Sequence, residues 1–460
     1  MSLTEAKELL QRRFRLRLPE QVQAWLASEH ALAQRVAGTA FIIRVISAAV
    51  VFLSQILFAR WMGSYEFGIY VYVWTWLLLV GDLLHLGLPM IAQNHIPRYT
   101  QRGAFDHLRG FLIGSRWMVF GLGTAAALLG AGLIHLIEGR TGHPTVMPLY
   151  IVCVALPFYL LAGMCDGIGR SYNWIVLAVA PHSLLRPLLL LLLLLATVYF
   201  SGATIDAVTA TMALTAAVWL STLLQLLLLS RRLNTVVEPG DKRYEPRDWL
   251  ATSLPIIAVW GFYTLLTCTD ILVLEQFRPA NEVAHYYAAV KTITFVAFVY
   301  YSVAAAVAHR FSACHAAGDH AALAAIVANS VRWIFWPSLA ATLVILALGR
   351  PVLALFGPGF VDAYPAMFVL AAGLMARAAV GPSERLLTMV GQQRICVLAY
   401  AVAFAVNLTL CLALAGPYGG LGVAIATATA FVTESVLLAL IAKHRLGLHL
   451  FIWQPSSARS

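Results

Sequence analysis

The sequence predicts an all-α polytopic membrane protein: about twelve transmembrane helices in two six-helix bundles related by a pseudo-twofold axis along the membrane normal. Three observations carry that prediction. The chain is 61% hydrophobic and only 11% charged, so it has no polar exterior to offer water. It divides into apolar stretches of the ~20 residues that a helix needs to cross ~30 Å of hydrocarbon. Its second half repeats landmarks of its first at an offset near 215 residues.

The expected spans are 39–59, 69–91, 111–137, 146–168, 175–200, 206–230, 250–275, 284–309, 329–348, 366–390, 395–415 and 421–442. The first follows a long basic segment and leaves through Arg60; the second enters after Glu66-Phe67-Gly68. The fifth is announced by Gly167-Ile168-Gly169-Arg170, and the sixth stops at Arg231-Arg232. The Glu238-Pro239-Gly240-Asp241 break precedes the seventh. The eleventh follows Gly391-Gln392-Gln393-Arg394, and the twelfth ends at Lys443. The longest connections, around 93–110, 231–249, 310–328 and 349–365, fall far short of the ~50 residues of a domain. A nucleotide-binding domain, an outer catalytic domain and a receptor ectodomain are thereby excluded from 39–442. No G-x-x-x-x-G-K-[ST] loop occurs, which argues against an ATP-driven pump on this chain.

A net charge of +10 is explained by topology, not by nucleic acid. Cations gather in Lys7–Arg35, Arg98–Arg109, Arg231–Arg247 and the tail from Lys443, whereas the alternate loops hold only Arg60, Arg140, Arg278 and Arg350. Positive charge stays in the cytoplasm, so both termini are expected there and the span count is even. The resulting division is a basic N-terminal segment (1–38), an N-lobe (39–230), a basic linker (231–249), a C-lobe (250–442) and a cytoplasmic tail (443–460). The start does not read as a cleaved signal peptide. Glu5–Arg35 reads either as a basic amphipathic helix on the membrane surface, with Leu9, Leu10, Phe14 and Trp25 toward lipid, or as a frayed tail. Six cysteines show no metal spacing and read as small apolar residues; no metal, cofactor or catalytic residue is expected.

The internal repeat rests on ordered matches. Glu66-Phe67-Gly68-Ile69-Tyr70 corresponds to Glu282-Val283-Ala284-His285-Tyr286, and Asp106-His107 before Arg116-Trp117 corresponds to Asp319-His320 before Arg332-Trp333. Two parallel six-span lobes enclose a cavity, and rocking one against the other gives alternating access.

Ionisable groups within spans cost at least ~2.5–3.5 kcal/mol each on insertion scales and need a reason. Arg186 (before Pro187), Arg377 and Lys291 lie deepest; Arg44 and Arg116 sit about five residues inside their spans, where snorkelling is an alternative. The reading is a cationic cavity for an anionic, phosphate-bearing substrate, since guanidinium presents several fixed donors. Neutralisation by acids within the protein is the competing explanation; Glu384 falls on the helix face of Arg377. Asp82, His85, Asp270 and Glu434 are the candidates for ion coupling. The aromatic rows Tyr70, Tyr72, Trp74, Trp76 and Tyr286, Tyr287, Tyr300, Tyr301 read as interfacial anchors.

Certain stretches carry a family likeness. Gln55-Ile56-Leu57-Phe58-Ala59-Arg60 with Gly63 and Glu66-Phe67-Gly68-Ile69-Tyr70, Ser253-Leu254-Pro255 through Asp270-Ile271-Leu272, Tyr286-Tyr287-Ala288-Ala289-Val290-Lys291, Leu355-Phe356-Gly357-Pro358 and Gly419-Gly420-Leu421-Gly422-Val423-Ala424 resemble the bacterial polysaccharide-unit (Wzx-type) flippases. These form the polysaccharide transporter branch of the multidrug/oligosaccharidyl-lipid/polysaccharide exporter superfamily. One departure is visible: where that family often carries an Asp two residues before a second-span glycine, this chain has His85 before Gly87, with Asp82 a turn earlier. The resemblance implies a non-enzymatic flippase of the bacterial inner membrane. Its substrate would be an oligosaccharide on undecaprenyl pyrophosphate, and its partners membrane lipids with a polysaccharide polymerase and glycosyltransferases. A multidrug or metabolite exporter of the same superfamily is the alternative. A membrane-embedded glycosyltransferase or polymerase would need sizeable outer loops, which are lacking here.

Overall fold

The computed structural model describes residues 29–137, 142–201 and 204–452. Residues 5–28 of the amphipathic reading, the side chains of 29–35 and that of Arg44 lie outside the described residues. Everything described is helix, turn or coil, without a strand. In chain order the helices are α1 (Glu29–Leu84), α2 (Leu88–Gln101), α3 (Phe105–Ile137), α4 (Val146–Ser171), α5 (Ile175–Ala180), α6 (Arg186–Ser201) and α7 (Ala207–Leu233). Then follow α8 (Pro246–Phe277), α9 (Ala280–Ile293), α10 (Ala297–Ala316), α11 (His320–Ala347), α12 (Gly349–Phe356), α13 (Tyr364–Val380), α14 (Ser383–Met389) and α15 (Gln393–Leu446).

Among the described residues ten helical stretches are long and apolar enough to cross a membrane, so the chain is a multi-pass membrane protein. Two of them, Val45–Gln101 and Arg394–Leu446, run to 57 and 53 residues. At ~1.5 Å rise per residue either would measure ~80 Å if straight, well over twice the hydrocarbon thickness. Each instead leaves helical geometry at a glycine of positive φ, Gly63 (76°) and Gly419 (55°), a conformation that a Cβ disfavours. The first breaks again at Leu86 and Gly87 (φ 50° and 69°), between α1 and α2. Each is therefore a pair of crossings joined by a bend. Eight single crossings and two doubled ones make twelve.

The connections are shorter than the sequence suggested, because polar residues cap helices here without ending in coil. The stretch expected as a loop at 93–110 is helical to Gln101 and resumes at Phe105; 310–328 shrinks to a turn between Ala316 and His320. At 349–365 the chain forms α12 and a short 3-10 turn, Phe360–Ala363. The tenth span also differs. It is not continuous over 366–390: α13 stops at Val380, Gly381 adopts φ 66°, and α14 begins at Ser383 behind Pro382.

The sequence repeat has a structural counterpart. Glu66 accepts a hydrogen bond from the backbone N–H of Ala207, the first residue of α7, at 2.8 Å. Glu282, its match in the second half, accepts one from Gly420, just past the bend of α15, at 2.7 Å. Each carboxylate thus satisfies an open donor at the start of a helix, where the dipole also favours negative charge. The two halves meet along α1, which packs on α8 and α9. Gly68 abuts the carbonyl of Ala280 so closely that a Cβ would overlap it. Gln55 donates to the Tyr287 hydroxyl at 2.8 Å and Gln276 to that of Tyr72 at 3.3 Å.

The basic loops collect at one end of the bundle. Arg109 donates to the carbonyls of Asp241 (2.8 Å) and Glu238 (3.1 Å), the Arg243 N–H donates to Asp106 at 3.0 Å, and Arg232 lies 4.4 Å from the Trp174 ring. At the opposite end Arg60 binds the carbonyls of Leu355 (2.6 Å) and Ala354 (2.9 Å), and Arg278 that of Gly416 at 2.7 Å.

Candidate functional site

Each of the three deepest cations sits where a helix is interrupted. Arg186 follows a π turn, Pro181–Leu185, that joins α5 to α6. Pro181 and Pro187 both lack the N–H that would continue the α ladder, so the backbone widens between them and the N–H of Arg186 reaches back to Pro181. The carbonyls released upstream are claimed by a side chain: Gln225 of α7 donates to Leu177 (3.2 Å) and Ala178 (3.1 Å). Lys291 lies in the last turn of α9, before the 3-10 turn Thr294–Val296. Arg377 lies in the last turn of α13, at the break before Gly381. A helix C-terminus exposes carbonyls and carries partial negative charge, which favours a cation at the last two sites.

Arg186 is held by rings, not by a salt bridge. Its guanidinium carbon lies 5.1 Å from the Trp74 ring and 5.7 Å from that of Tyr159, within cation–π range. The Tyr159 hydroxyl donates to Asp82 at 3.2 Å, and Asp82 is within electrostatic reach of Arg186. Gly81 creates room for this, since a Cβ there would strike the Tyr159 ring. The indole of Trp260, from α8 in the second half, lies near Asp82. Trp260 lies 5.7 Å from Tyr263, whose ring is 5.7 Å from the guanidinium of Arg377. A row of aromatic and polar side chains therefore links Arg186 in the first half to Arg377 in the second. Trp260 is 41% exposed, and Tyr301, hydrogen-bonded to Tyr263 at 2.6 Å, is 42% exposed; the row faces open space.

The other expected site residues divide. Arg377 is paired with Glu434 at 3.3 Å, with side chains 11% and 2% exposed, so an acid already meets that cation. The partner is not Glu384, because the break at Gly381 removes it from the helix face the sequence implied. Lys291 stands 4.9 Å from the Tyr287 ring, and Asp270, accepting from the Tyr286 hydroxyl at 2.7 Å, is within its electrostatic reach. His85 bonds the carbonyl of Leu160 at 3.0 Å and packs on Gly163, a contact within its own half. Arg116 is apart from all of these: it binds the carbonyl of Leu112 (2.6 Å) and the hydroxyl of Ser230 (3.2 Å). Among the described residues Arg186 and Arg377 share a row, Lys291 lies beside it, with Cys268 within electrostatic reach of both Lys291 and Asp82, and Arg116 stands apart. No metal-binding cluster occurs among the described residues.

Much of the aromatic rows does not form an interfacial belt, although Tyr301 is exposed. Tyr70, Tyr72, Tyr286 and Tyr287 are buried, and Trp74 stacks within the Arg186 cluster, because the glycines of the touching helices draw those faces inward. Gln225, Tyr159, Trp260 and Tyr263 escaped sequence reasoning. Gln225 had a signal: a lone amide in an apolar span, opposite a span carrying two prolines.

Taken together, the described residues form a two-halved helical bundle with broken helices. It is similar to an inward-facing multidrug resistance MATE family transporter of the MOP superfamily, at TM-score 0.73 and 14% identity, covering 88% of this chain and 98% of that one. It is likewise similar to the lipid II flippase MurJ in an inward closed conformation, at TM-score 0.71 and 14% identity, covering 88% and 87%. A MOP superfamily transporter from Pyrococcus furiosus follows at TM-score 0.65 and 13% identity, covering 89% and 94%. At such identities the likeness establishes the fold. No family model and no curated protein matches the chain.

Proposed function

We propose that the chain is a flippase for an oligosaccharide unit on undecaprenyl pyrophosphate. It would move the unit from the cytoplasmic to the periplasmic leaflet of a bacterial inner membrane, both termini cytoplasmic, for surface polysaccharide synthesis. The observation that carries the proposal is Arg186: a deep guanidinium with no carboxylate in ion-pair contact among the described residues, framed by Trp74 and Tyr159 and facing the second half through Asp82 and Trp260. Such a group offers fixed donors to a pyrophosphate, while ring faces suit sugars. A cleft of about 550 Å³ between α1, α3 and α4, lined by Trp76, Leu133, Ile137, Leu156 and similar apolar residues, suits a polyprenyl tail that stays in the bilayer. MurJ, similar in fold, is by its name a flippase of lipid II.

In this reading residues 39–230 and 250–442 are the two lobes, 231–249 joins them, and rocking about the α1 contacts exchanges access. Asp82 is the carboxylate best placed to couple an ion to the state of Arg186, since it accepts from Tyr159 and lies near Trp260 of the opposite half. Glycosyltransferases would supply the unit and a polymerase would consume it. The second reading, export of organic solutes, is favoured by the Arg377–Glu434 pair, which leaves the second half less cationic than its sequence suggests.

The test is a proteoliposome assay with a short polyprenyl pyrophosphate disaccharide, scored by a reagent that cannot cross the bilayer. Wild type should translocate it; Arg186→Ala should lose at least about tenfold, and Arg186→Lys should recover only part because a point charge lacks the fork. Extrusion of organic cations without translocation of the lipid would replace this reading with the second.

A further inference from the structure

Away from the contact between halves, α3 and α7 stand apart over the floor made by α4. The gap between them is continuous. Its basic mouth, about 520 Å³, is lined by Arg109, Arg116, Asn234, Glu238 and Lys242. It leads, through the shared residues Ile113 and Arg116, into a deeper part of about 390 Å³ lined by Trp117, Phe120, Phe158, Leu161 and Leu226. No lining residue of either part comes from a helix of the second half.

The two parts differ in chemistry in the order that a lipid does. At the mouth three cations face one acid, Glu238. Among the described residues no carboxylate forms an ion pair with Arg109, Arg116 or Lys242. Arg116 spends donors on Leu112 and Ser230 and keeps others directed at the junction, five N–H groups being available on a guanidinium. The deeper walls carry rings in edge contact, Trp117 with Phe120 (6.1 Å) and Phe120 with Phe158 (5.6 Å), and Trp117 is 69% exposed, as a residue at headgroup level is. A soluble anion would leave these rings unused, and a neutral lipid would leave the cations unpaired.

We propose that this groove binds one anionic phospholipid of the leaflet bordering the basic loops. Its phosphate sits between Arg116 and Lys242, and one acyl chain runs along Trp117, Phe120 and Phe158. Because Lys242 and Arg109's carbonyl partners belong to the segment joining the halves, the lipid fastens that segment to α3. The site is separate from Arg186 and stands or falls independently of what is transported.

The test is native mass spectrometry of the full chain, released from detergent with phosphatidylglycerol, phosphatidylcholine or a short polyprenyl pyrophosphate. Wild type should retain one phosphatidylglycerol. Arg116→Gln/Lys242→Gln should retain about 30-fold less, two surface cations' worth of affinity, while Arg116→Lys holds it. Lys242→Gln alone, at an exposed position, should lose about fivefold without disturbing the fold. Equal retention of phosphatidylcholine, or undiminished phosphatidylglycerol in both Gln variants, overturns the proposal. So does retention of only a polyprenyl pyrophosphate, which would assign the groove to the transported substrate.

Discussion

Arg377 and Arg186 are the same residue type at comparable depth in the sequence, yet they have opposite surroundings. Arg377 meets Glu434 in a nearly sealed pocket, so removing one partner strands a buried charge. Arg377→Ala should lower stability by about 3–5 kcal/mol, whereas Arg377→Met with Glu434→Met should recover most of it. Thermal unfolding in detergent checks both; equal losses in the single and double variants would mean that the pair is not what matters. Arg186 has rings for company, and Trp74→Ala should therefore impair transport more than folding, by loss of the cation–π frame, with a stability change of about 1–2 kcal/mol. The contrast was invisible in the sequence because Glu434 lies 57 residues from Arg377 and only the packing of α13 on α15 joins them.

Helix interruptions set the direction of these side chains. The π turn before Arg186 exists because two prolines remove ladder donors and Gln225 answers the carbonyls left behind. Pro181→Ala should let the turn close into α-helix, rotate Arg186 by about 100° (one residue's turn, 3.6 per revolution) out of its frame, and abolish translocation while leaving folded yield unchanged. Retained activity would separate the turn from the function. Glu66 and Glu282 give a second prediction at this scale. Each caps the opening of a helix in its own half, so Glu66→Ala and Glu282→Ala should each cost about 1 kcal/mol and add in combination. Thermal midpoints of the two singles and the double supply the measurement. Pro187 and the 66/282 match were readable in advance; the breaks at Gly381 and at 294–296 were not, since glycine and threonine occur freely inside helices too.

Across the molecule, the halves touch where small residues let backbones approach. Gly68→Leu should pry α1 from Ala280 and expose Tyr287, measured as faster labelling of a Tyr287→Cys reporter by a membrane-impermeant maleimide. Unchanged labelling would show that this contact does not hold that end shut. Span number, helical class and the segregation of basic loops could all be read from the chain, because hydropathy and insertion energetics act on local stretches. Whether a charge so embedded finds an acid, a ring or open space depends on side chains brought from distant helices. Only tertiary packing decides that, and it gave Arg377 an acid, left Arg186 to rings, took Arg116 to a separate groove, and buried Tyr70, Tyr72, Tyr286 and Tyr287.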